Sequence, residues 1–194
     1  MIVRNAVFEK SIKDSAKYEN PNLPEIAISG KSNVGKSSLI NFLANNSKLA
    51  YTSKKPGKTR LINFFTFNGG EFYLVDLPGY GFSKVSKEEK TDWYAMVEGY
   101  LKKSSQLKGI LVLMDIRHDP TEDDKQMVAW AQYYGIPCAV IATKADKVAK
   151  SKRKNALAHF KKILGAGDLP LAAASAQLAV GKEEVLAIME KFLQ

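Results

Sequence analysis

The sequence predicts a doubly wound α/β fold, in which helices cover both faces of a mostly parallel sheet. Two observations predict it. Short apolar runs alternate with amphipathic helical stretches along the 194 residues. A glycine-rich loop also stands between the first core strand and the helix after it. Because parallel strands end at the same edge of a sheet, polar residues that follow them are expected to line one cleft.

The glycine-rich loop, Gly30 to Ser37, fits the phosphate-binding pattern G-x-x-x-x-G-K-[ST]. Gly30 and Gly35 allow tight turns, so that successive backbone N–H groups point at phosphate oxygens. Lys36 supplies a positive charge for the β- and γ-phosphates, and the Ser37 hydroxyl can bind Mg²⁺. A buried strand at 25–29 and a helix from Ser38 complete the expected context.

Composition limits the classes of partner and compartment. The chain has 29 basic and 20 acidic residues, and its net charge of +9 indicates a polyanionic partner. Its one cysteine, Cys138, lies in an apolar run, which excludes an internal disulfide and a cysteine-based zinc site. No apolar run approaches transmembrane length, and the N-terminus has no signal-peptide core. We therefore expect a soluble, cytoplasmic protein with no membrane partner.

Residues 1–23 begin with apolar residues and then turn polar and basic, and we expect a partly extended arm that packs on or near a sheet edge and pairs with it. Residues 24–194 are expected to form one domain. A basic loop without a period covers 45–60. Two apolar runs, 61–67 and 71–75, flank Asn68-Gly69-Gly70 and predict a hairpin, and hence one antiparallel strand.

Helices and strands then alternate to the end of the chain. Ser86 and Glu89 form a predicted capping box before a helix whose apolar stripe contains Trp93. The later predicted elements are a strand at 109–114, a helix from 120 to 134, a strand at 138–142, a basic helix at 152–164, a weak strand at 171–174 and a closing helix through 185–192.

The stretch Asp76 to Gly79 fits D-x-x-G and closes an apolar strand after the phosphate loop. Asp76 is expected to hold Mg²⁺ through water, and the Gly79 N–H to sense the γ-phosphate. A plain helix cap is the alternative interpretation of Asp76. A hydroxyl in the preceding loop would complete the Mg²⁺ shell, and spacing alone leaves both Thr52 and Thr59 as candidates.

The segment Thr143-Lys-Ala-Asp146 ends a later strand and is expected to determine which nucleotide base is recognised. Guanine presents two adjacent donors, N1 and the exocyclic amine, and one carboxylate accepts both. Adenine presents an acceptor at N1, which would face that carboxylate with no proton between them. Asp146 therefore favours GTP over ATP. The Lys144 stem can lie along the base, and Ser175-Ala176 can offer a backbone N–H to the guanine oxygen.

With these motifs in place, the chain resembles the EngB group (also called YihA or YsxC) of the translation-factor class of Ras-like GTPases. The resemblance implies a three-layer P-loop GTPase fold of Ras-like topology, with one antiparallel strand. It also selects Thr59 as the Mg²⁺ ligand, and implies binding to the large ribosomal subunit and a link to normal cell division. Its carriers are residues 30–38, 53–59, 76–82, Arg117-His118 and 143–147.

The motifs and the resemblance together assign the site. The catalytic residues are Lys36, Thr59 and Gly79, and the metal ligands are Ser37, Thr59 and, through water, Asp76. The nucleotide contacts are Gly30, Lys31, Ser32, Asn33, Val34, Gly35, Lys36, Ser37, Ser38, Gly57, Lys58, Thr59, Asp76, Leu77, Pro78, Gly79, Thr143, Lys144, Ala145, Asp146, Ala174, Ser175 and Ala176.

Two positions depart from the general GTPase pattern. Thr143 stands where asparagine is commonest, although threonine is usual in this group. Tyr80 stands where Ras-type enzymes place a water-orienting glutamine, so intrinsic hydrolysis is expected to be slow. A potassium ion or the ribosome is expected to supply the missing positive charge. Asn33 matches a position that helps to bind potassium in related GTPases; local loop hydrogen bonding is the alternative role.

Eight basic residues lie between positions 144 and 162, with Asp146 as the only acid among them. This surface is expected to bind the phosphate backbone of ribosomal RNA rather than DNA. A solvated helix face is the alternative interpretation. The candidate RNA contacts are Lys150, Lys152, Arg153, Lys154, Lys161 and Lys162.

Two other functions are alternatives to a GTPase switch, which we expect to be monomeric. A P-loop kinase would need an acceptor pocket and an arginine-rich lid, and the sequence indicates neither; competition between ATP and GTP separates the two. An RNA-binding module with a mainly structural nucleotide site is the other alternative. RNA binding by Lys36→Ala that does not depend on the nucleotide state would favour it.

Overall fold

Seven strands form one sheet in the part of the chain that the computed structural model describes, which is residues 1–13, 18–20, 22–51, 61–81, 87–165 and 167–194. The strands are β1 (Ala6–Ile12), β2 (Glu25–Gly30), β3 (Ile62–Phe67), β4 (Phe72–Asp76), β5 (Leu107–Asp115), β6 (Cys138–Thr143) and β7 (Leu171–Ala173). The helices are α1 (Lys36–Leu43), α2 (Lys87–Lys103), α3 (Glu122–Tyr133), α4 (Lys150–Leu164) and α5 (Lys182–Leu193), with a 3₁₀ turn at Ala145–Lys147.

The strand order is β1-β3-β4-β2-β5-β6-β7. Among the described strands, β3 alone runs opposite to the other six, because it pairs antiparallel with both β1 and β4. The remaining pairings are parallel. The predicted α/β fold, with a mostly parallel sheet, one antiparallel strand and helices on both faces, is confirmed, as is the hairpin that joins β3 to β4.

Each face of the sheet is covered by its own set of helices. Leu39 and Ile40 of α1 and Val185 of α5 pack with Ile26 and Ile28 of β2 on one face. The apolar residues of α2, α3 and α4 pack on the other face, around side chains that include Ala27 and Val75. Strands buried on both faces read as continuous apolar runs, which is why the sequence shows them so clearly.

The N-terminal arm contains a full strand. β1 pairs with β3 from Ala6–Phe67 to Ile12–Ile62, and a bulge interrupts the register between Phe8 and Lys10. Since a bulge shifts the side-chain alternation, the strand does not show a period of two in the sequence. Val7 and Phe8 are exposed on this edge strand.

Several element boundaries differ from the predicted ones for local reasons. α1 begins at Lys36, two residues early, because Gly35 turns the chain with a φ of 112°. α5 begins at Lys182 after Gly181, whose φ is 81°. Thr121 caps α3 in a reciprocal capping box with Asp124. The capping box predicted at Ser86 and Glu89 lies outside the described side chains. In the described segments, no helix is long and apolar enough to cross a bilayer.

A buried carboxylate ties the arm to the start of β2. Glu25 is fully buried and accepts hydrogen bonds from the Tyr100 hydroxyl at 2.7 Å and the Ser104 hydroxyl at 2.8 Å. Tyr18 and the Asn20 amide donate to its other oxygen. Burial and the bond to Glu25 raise the pKa of Tyr18 well above its ordinary value, so the phenol remains a donor.

Replacing Glu25 by glutamine is therefore expected to destabilise the protein by about 3 kcal/mol, since an amide NH₂ would face a donor and leave it unsatisfied. The measurement is chemical denaturation, with the exposed Glu184→Gln as control, expected to change stability by less than about 0.5 kcal/mol. Equal stabilities of the two variants would contradict the role assigned to Glu25.

Candidate nucleotide-binding site

The phosphate loop connects the carboxyl end of β2 to α1. A Cβ built on Gly30 would lie 2.8 Å from the Leu113 carbonyl oxygen, so a larger residue would push the loop off β5. The left-handed conformation of Gly35 then aims the N-terminus of α1 at the loop. The N-terminus of a helix and the turning backbone before it form a site for anions. Lys36, at the first position of α1, is mostly buried.

Asp76 faces Lys36 across the loop. Its Oδ1 atom lies 4.0 Å from the Lys36 ammonium and has no hydrogen-bond partner among the described residues, although it is buried. Burial raises the pKa of Asp76, and the charge of Lys36 opposes that rise. A buried carboxylate oxygen without a partner at this strand end fits a Mg²⁺ ion that also binds substrate phosphates. Ser37, the second residue of α1, carries a hydroxyl that could bind the same ion. In the described residues no three His, Cys, Asp or Glu side chains form a metal cluster of their own.

The segment from Asp76 to Tyr80 lies against the phosphate loop. The Ser32 N–H donates to the Tyr80 carbonyl at 2.8 Å, and Lys31 forms a parallel bridge with Tyr80. A Cβ on Gly79 would lie 3.0 Å from the Lys36 nitrogen. Leu77 and Pro78, between them, are buried. Gly57, Lys58, Thr59 and the alternative Thr52 lie outside the described residues.

The predicted base site is a cleft of about 470 Å³ at the ends of β6 and β7. Asp146 lies in it, where its carboxylate accepts from the Ser175 hydroxyl at 2.8 Å and pairs with Lys147 at 3.0 Å. These contacts, with Ser175 contributing most, lower the pKa of Asp146, so the carboxylate is an acceptor at neutral pH. The other lining residues are Val34, Gly35, Ser38, Leu39, Thr143, Lys144, Ala174, Ala176 and Gln177.

Thr143 connects the base site to the phosphate loop. Its Oγ1 lies 2.7 Å from the Val34 carbonyl and 3.1 Å from the Met114 carbonyl, so its one proton bridges the loop and β5. The sequence predicted Thr143 as a nucleotide contact that lacks the usual amide donor. The structure gives its hydroxyl a contact with the phosphate loop.

Two further residues extend the site: sequence reasoning assigned no role to Asp115, and it quoted Arg117 only as a carrier of the family resemblance. Asp115 ends β5 and pairs with Lys144 at 3.0 Å. Arg117 holds the same carboxylate through Nε at 2.9 Å and Nη2 at 2.7 Å. Although burial opposes it, the hydrogen bonds from Arg117 and Lys144 hold the pKa of Asp115 well below its usual range. The signal was present, because Asp115 follows a buried strand just as Asp76 does.

The structure brings most of the predicted nucleotide contacts to one edge of the sheet. Lys31, Ser32 and Asn33 face a neighbouring cleft of about 270 Å³, which they share with Asp115 and Arg117. Ala145 is buried under the base site. The candidate RNA residues form a separate group on α4.

Comparisons with known proteins identify the family of this chain. Residues 25–144 match a family model described as "50S ribosome-binding GTPase". A probable GTP-binding protein EngB from Pelotomaculum thermopropionicum is 49% identical over the whole chain, which covers 98% of that relative. The chain belongs to the EngB family of GTP-binding proteins. Membership in this GTPase family supports GTP binding and hydrolysis in general.

Solved structures agree on the fold. A crystal structure of a probable EngB protein matches with a TM-score of 0.68 at 22% identity, over 87% of this chain and 98% of that one. Era in complex with MgGDPNP and a segment of 16S ribosomal RNA matches with a TM-score of 0.66 at 24% identity, over 89% of this chain and 57% of Era. At these identities the likeness shows the Ras-like fold alone.

If Asp146 recognises guanine in this EngB chain, Asp146→Asn should weaken GDP binding about 100-fold, because the amide cannot accept hydrogen bonds from both guanine donors. Xanthosine diphosphate should bind the variant better than GDP does, since xanthine carries a carbonyl in place of the exocyclic amine. Equilibrium titration measures both affinities.

The matched control is Asp168→Asn, which changes an exposed carboxylate elsewhere. It should bind both nucleotides as the wild-type protein does. Unchanged GDP affinity in Asp146→Asn, or loss of both nucleotides without recovery on xanthosine diphosphate, would contradict the role of Asp146.

Proposed function

We propose that this EngB chain is a Mg²⁺-dependent GTP switch in large ribosomal subunit assembly, with a linked role in normal cell division. The observation that carries the proposal is the convergence of three segments, the phosphate loop, Asp76–Gly79 and Asp146, on one edge of the sheet. GTP and Mg²⁺ would order the loops that contain Thr59 and Gly79, and hydrolysis would release them.

The residues support a division of roles. Lys36 would stabilise negative charge on the β- and γ-phosphates, and the Gly79 N–H would contact the γ-phosphate. Ser37, Thr59 and, through water, Asp76 would hold Mg²⁺, which neutralises charge on the phosphate oxygens when it is bound. Tyr80 does not orient a water here, because its phenol is buried against Asp124. Slow intrinsic hydrolysis follows, with potassium or the ribosome as the activator.

The potassium role is carried by Asn33. Asn33 is exposed in the phosphate loop and has a left-handed φ of 61°. We expect faster GTP turnover in potassium chloride than in sodium chloride at equal ionic strength, and Asn33→Ala should remove the difference. Phosphate release assays measure both rates. Equal rates in the two salts for the wild-type protein would exclude potassium as an activator.

Ribosomal RNA is the proposed partner of α4. The matching family model describes ribosome-binding GTPases, and the similar Era structure contains 16S ribosomal RNA. Lys150, Lys154 and Lys161 are exposed, and their spacing of four and seven residues places them along one side of α4.

Other basic residues on α4 are placed differently. Lys152 and Lys162 are exposed at other angles around the helix. Arg153 is half-buried, and its Nε donates to the Val148 carbonyl at 3.3 Å. The side defined by Lys150, Lys154 and Lys161 is therefore the sharpest target for a test, and a replacement at Arg153 would also disturb the start of α4.

The test is co-sedimentation with purified ribosomal subunits, with a GTP analogue, with GDP or without nucleotide. We expect the strongest binding to the large subunit with the analogue. Changing Lys150, Lys154 and Lys161 to glutamine should weaken that binding and lower its salt slope by about two to three, if each lysine contacts one phosphate.

The control triple, Lys13, Lys108 and Lys191 to glutamine, removes the same charge from exposed positions outside α4. It should keep the wild-type salt slope. Equal loss in both triples would show that net charge alone drives binding. Equal binding to the large subunit with the GTP analogue, with GDP and without nucleotide would contradict the proposed switch.

A further inference from the structure

Tyr80 fastens the loop after β4 to α3. The side chain is 4% exposed, and its hydroxyl donates to Asp124 Oδ1 at 2.5 Å. Burial, and then the Asp124 carboxylate, raise the pKa of Tyr80 well above its ordinary value, so the phenol keeps its proton. The phenol is therefore a hydrogen-bond anchor for the loop.

Asp124 is itself held firmly. Its Oδ2 atom accepts from the Thr121 N–H at 2.7 Å and from the Thr121 hydroxyl at 2.6 Å. The bond from the Thr121 N–H and the return bond from the Asp124 N–H to the Thr121 hydroxyl oxygen at 3.4 Å form the capping box of α3, so the carboxylate has a fixed orientation on a regular helix. The bond from Tyr80 thus attaches the loop to a rigid part of the fold.

Trp93 of α2 supplies a second anchor. Its indole N–H donates to the Pro78 carbonyl at 2.8 Å, and its ring packs edge-on against Tyr80 at a centroid distance of 5.5 Å. Pro78 and Tyr80 flank Gly79, so both neighbours of the predicted γ-phosphate sensor are anchored.

On its other side the loop contacts the groups that a γ-phosphate needs. The Ser32 N–H is engaged by the Tyr80 carbonyl, and a Cβ on Gly79 would lie 3.0 Å from the Lys36 nitrogen and 3.3 Å from the Ser32 nitrogen. The phosphate loop itself cradles the inner phosphates, whereas the third phosphate extends from it toward Lys36 and Gly79. A third phosphate placed there would therefore compete with the Tyr80 carbonyl for the Ser32 N–H and with Gly79 for the space beside Lys36, whereas a diphosphate would not reach them.

We propose that the hydrogen bonds from Tyr80 to Asp124 and from Trp93 to Pro78 form a latch that favours GDP over GTP by holding residues 78–80 against the phosphate loop. The inference rests on the proposed GTP switch and names residues that set its balance. Tyr80 and Trp93 are positioning residues in this account. The apparent affinity of a ligand that binds only the unlatched state is reduced by the fraction of the protein that is in that state.

The test measures the dissociation constants of GDP and of a non-hydrolysable GTP analogue, both with Mg²⁺. In Tyr80→Phe the aromatic packing stays and the hydrogen bond to a charged group is lost. The analogue should bind this variant about tenfold more tightly than it binds the wild-type protein, with GDP affinity unchanged. Trp93→Phe should move the ratio of the two constants in the same direction, and it serves as the second variant if Tyr80→Phe does not fold.

The matched control is Tyr134→Phe. The Tyr134 hydroxyl also donates to a carboxylate, Glu98 at 2.6 Å, and links α2 to the end of α3 without touching the loop. The control should keep the wild-type ratio. An unchanged ratio in both latch variants, or an equal shift in the control, would overturn the latch while leaving the GTP switch intact. Failure of the wild-type protein to bind either nucleotide would overturn both.

Discussion

The hydroxyl of Thr143 holds the two halves of the nucleotide site in register. Thr143 is the last residue of β6, immediately before Lys144, and its hydroxyl oxygen lies 2.7 Å from the Val34 carbonyl of the phosphate loop. Because one short side chain makes this contact, the phosphate loop and the base-binding turn have a fixed separation. Lys36 and Asp146 can therefore act on opposite ends of one nucleotide, which is the geometry that GTP recognition requires.

The sheet supplies the frame for this contact. The carboxyl ends of β2, β4, β5, β6 and β7 lie at one edge because these strands are parallel. Because β3 runs antiparallel to β4, the hairpin between them brings β4 back parallel to β2. The end of β4 therefore places Asp76 next to the phosphate loop. The same alignment places Asp115 beside Lys144. Asp76, Asp115 and Thr143, the last residues of β4, β5 and β6, thus meet at this edge.

The sequence predicted the parts of the site that depend on local chemistry. Gly35 before Lys36, Asp76 before Gly79 and Asp146 after a buried strand are short patterns with physical reasons for their spacing. It did not predict contacts between distant residues, such as Tyr80 with Asp124 or Thr143 with Val34, because these depend on how strands and helices pack. The sequence predicted a partly extended arm at a sheet edge, but it did not give the bounds of the seven-residue strand β1, since the bulge removes the alternation that identifies a strand.

The most direct test of the central claim is a crystal structure of this EngB chain with Mg²⁺ and a non-hydrolysable GTP analogue. We expect the Asp146 carboxylate to accept hydrogen bonds from guanine N1 and from the exocyclic amine, while the Lys36 ammonium contacts the phosphates of the same molecule. A base bound outside the cleft between Thr143 and Ser175, or a Lys36 that contacts no phosphate, would contradict it.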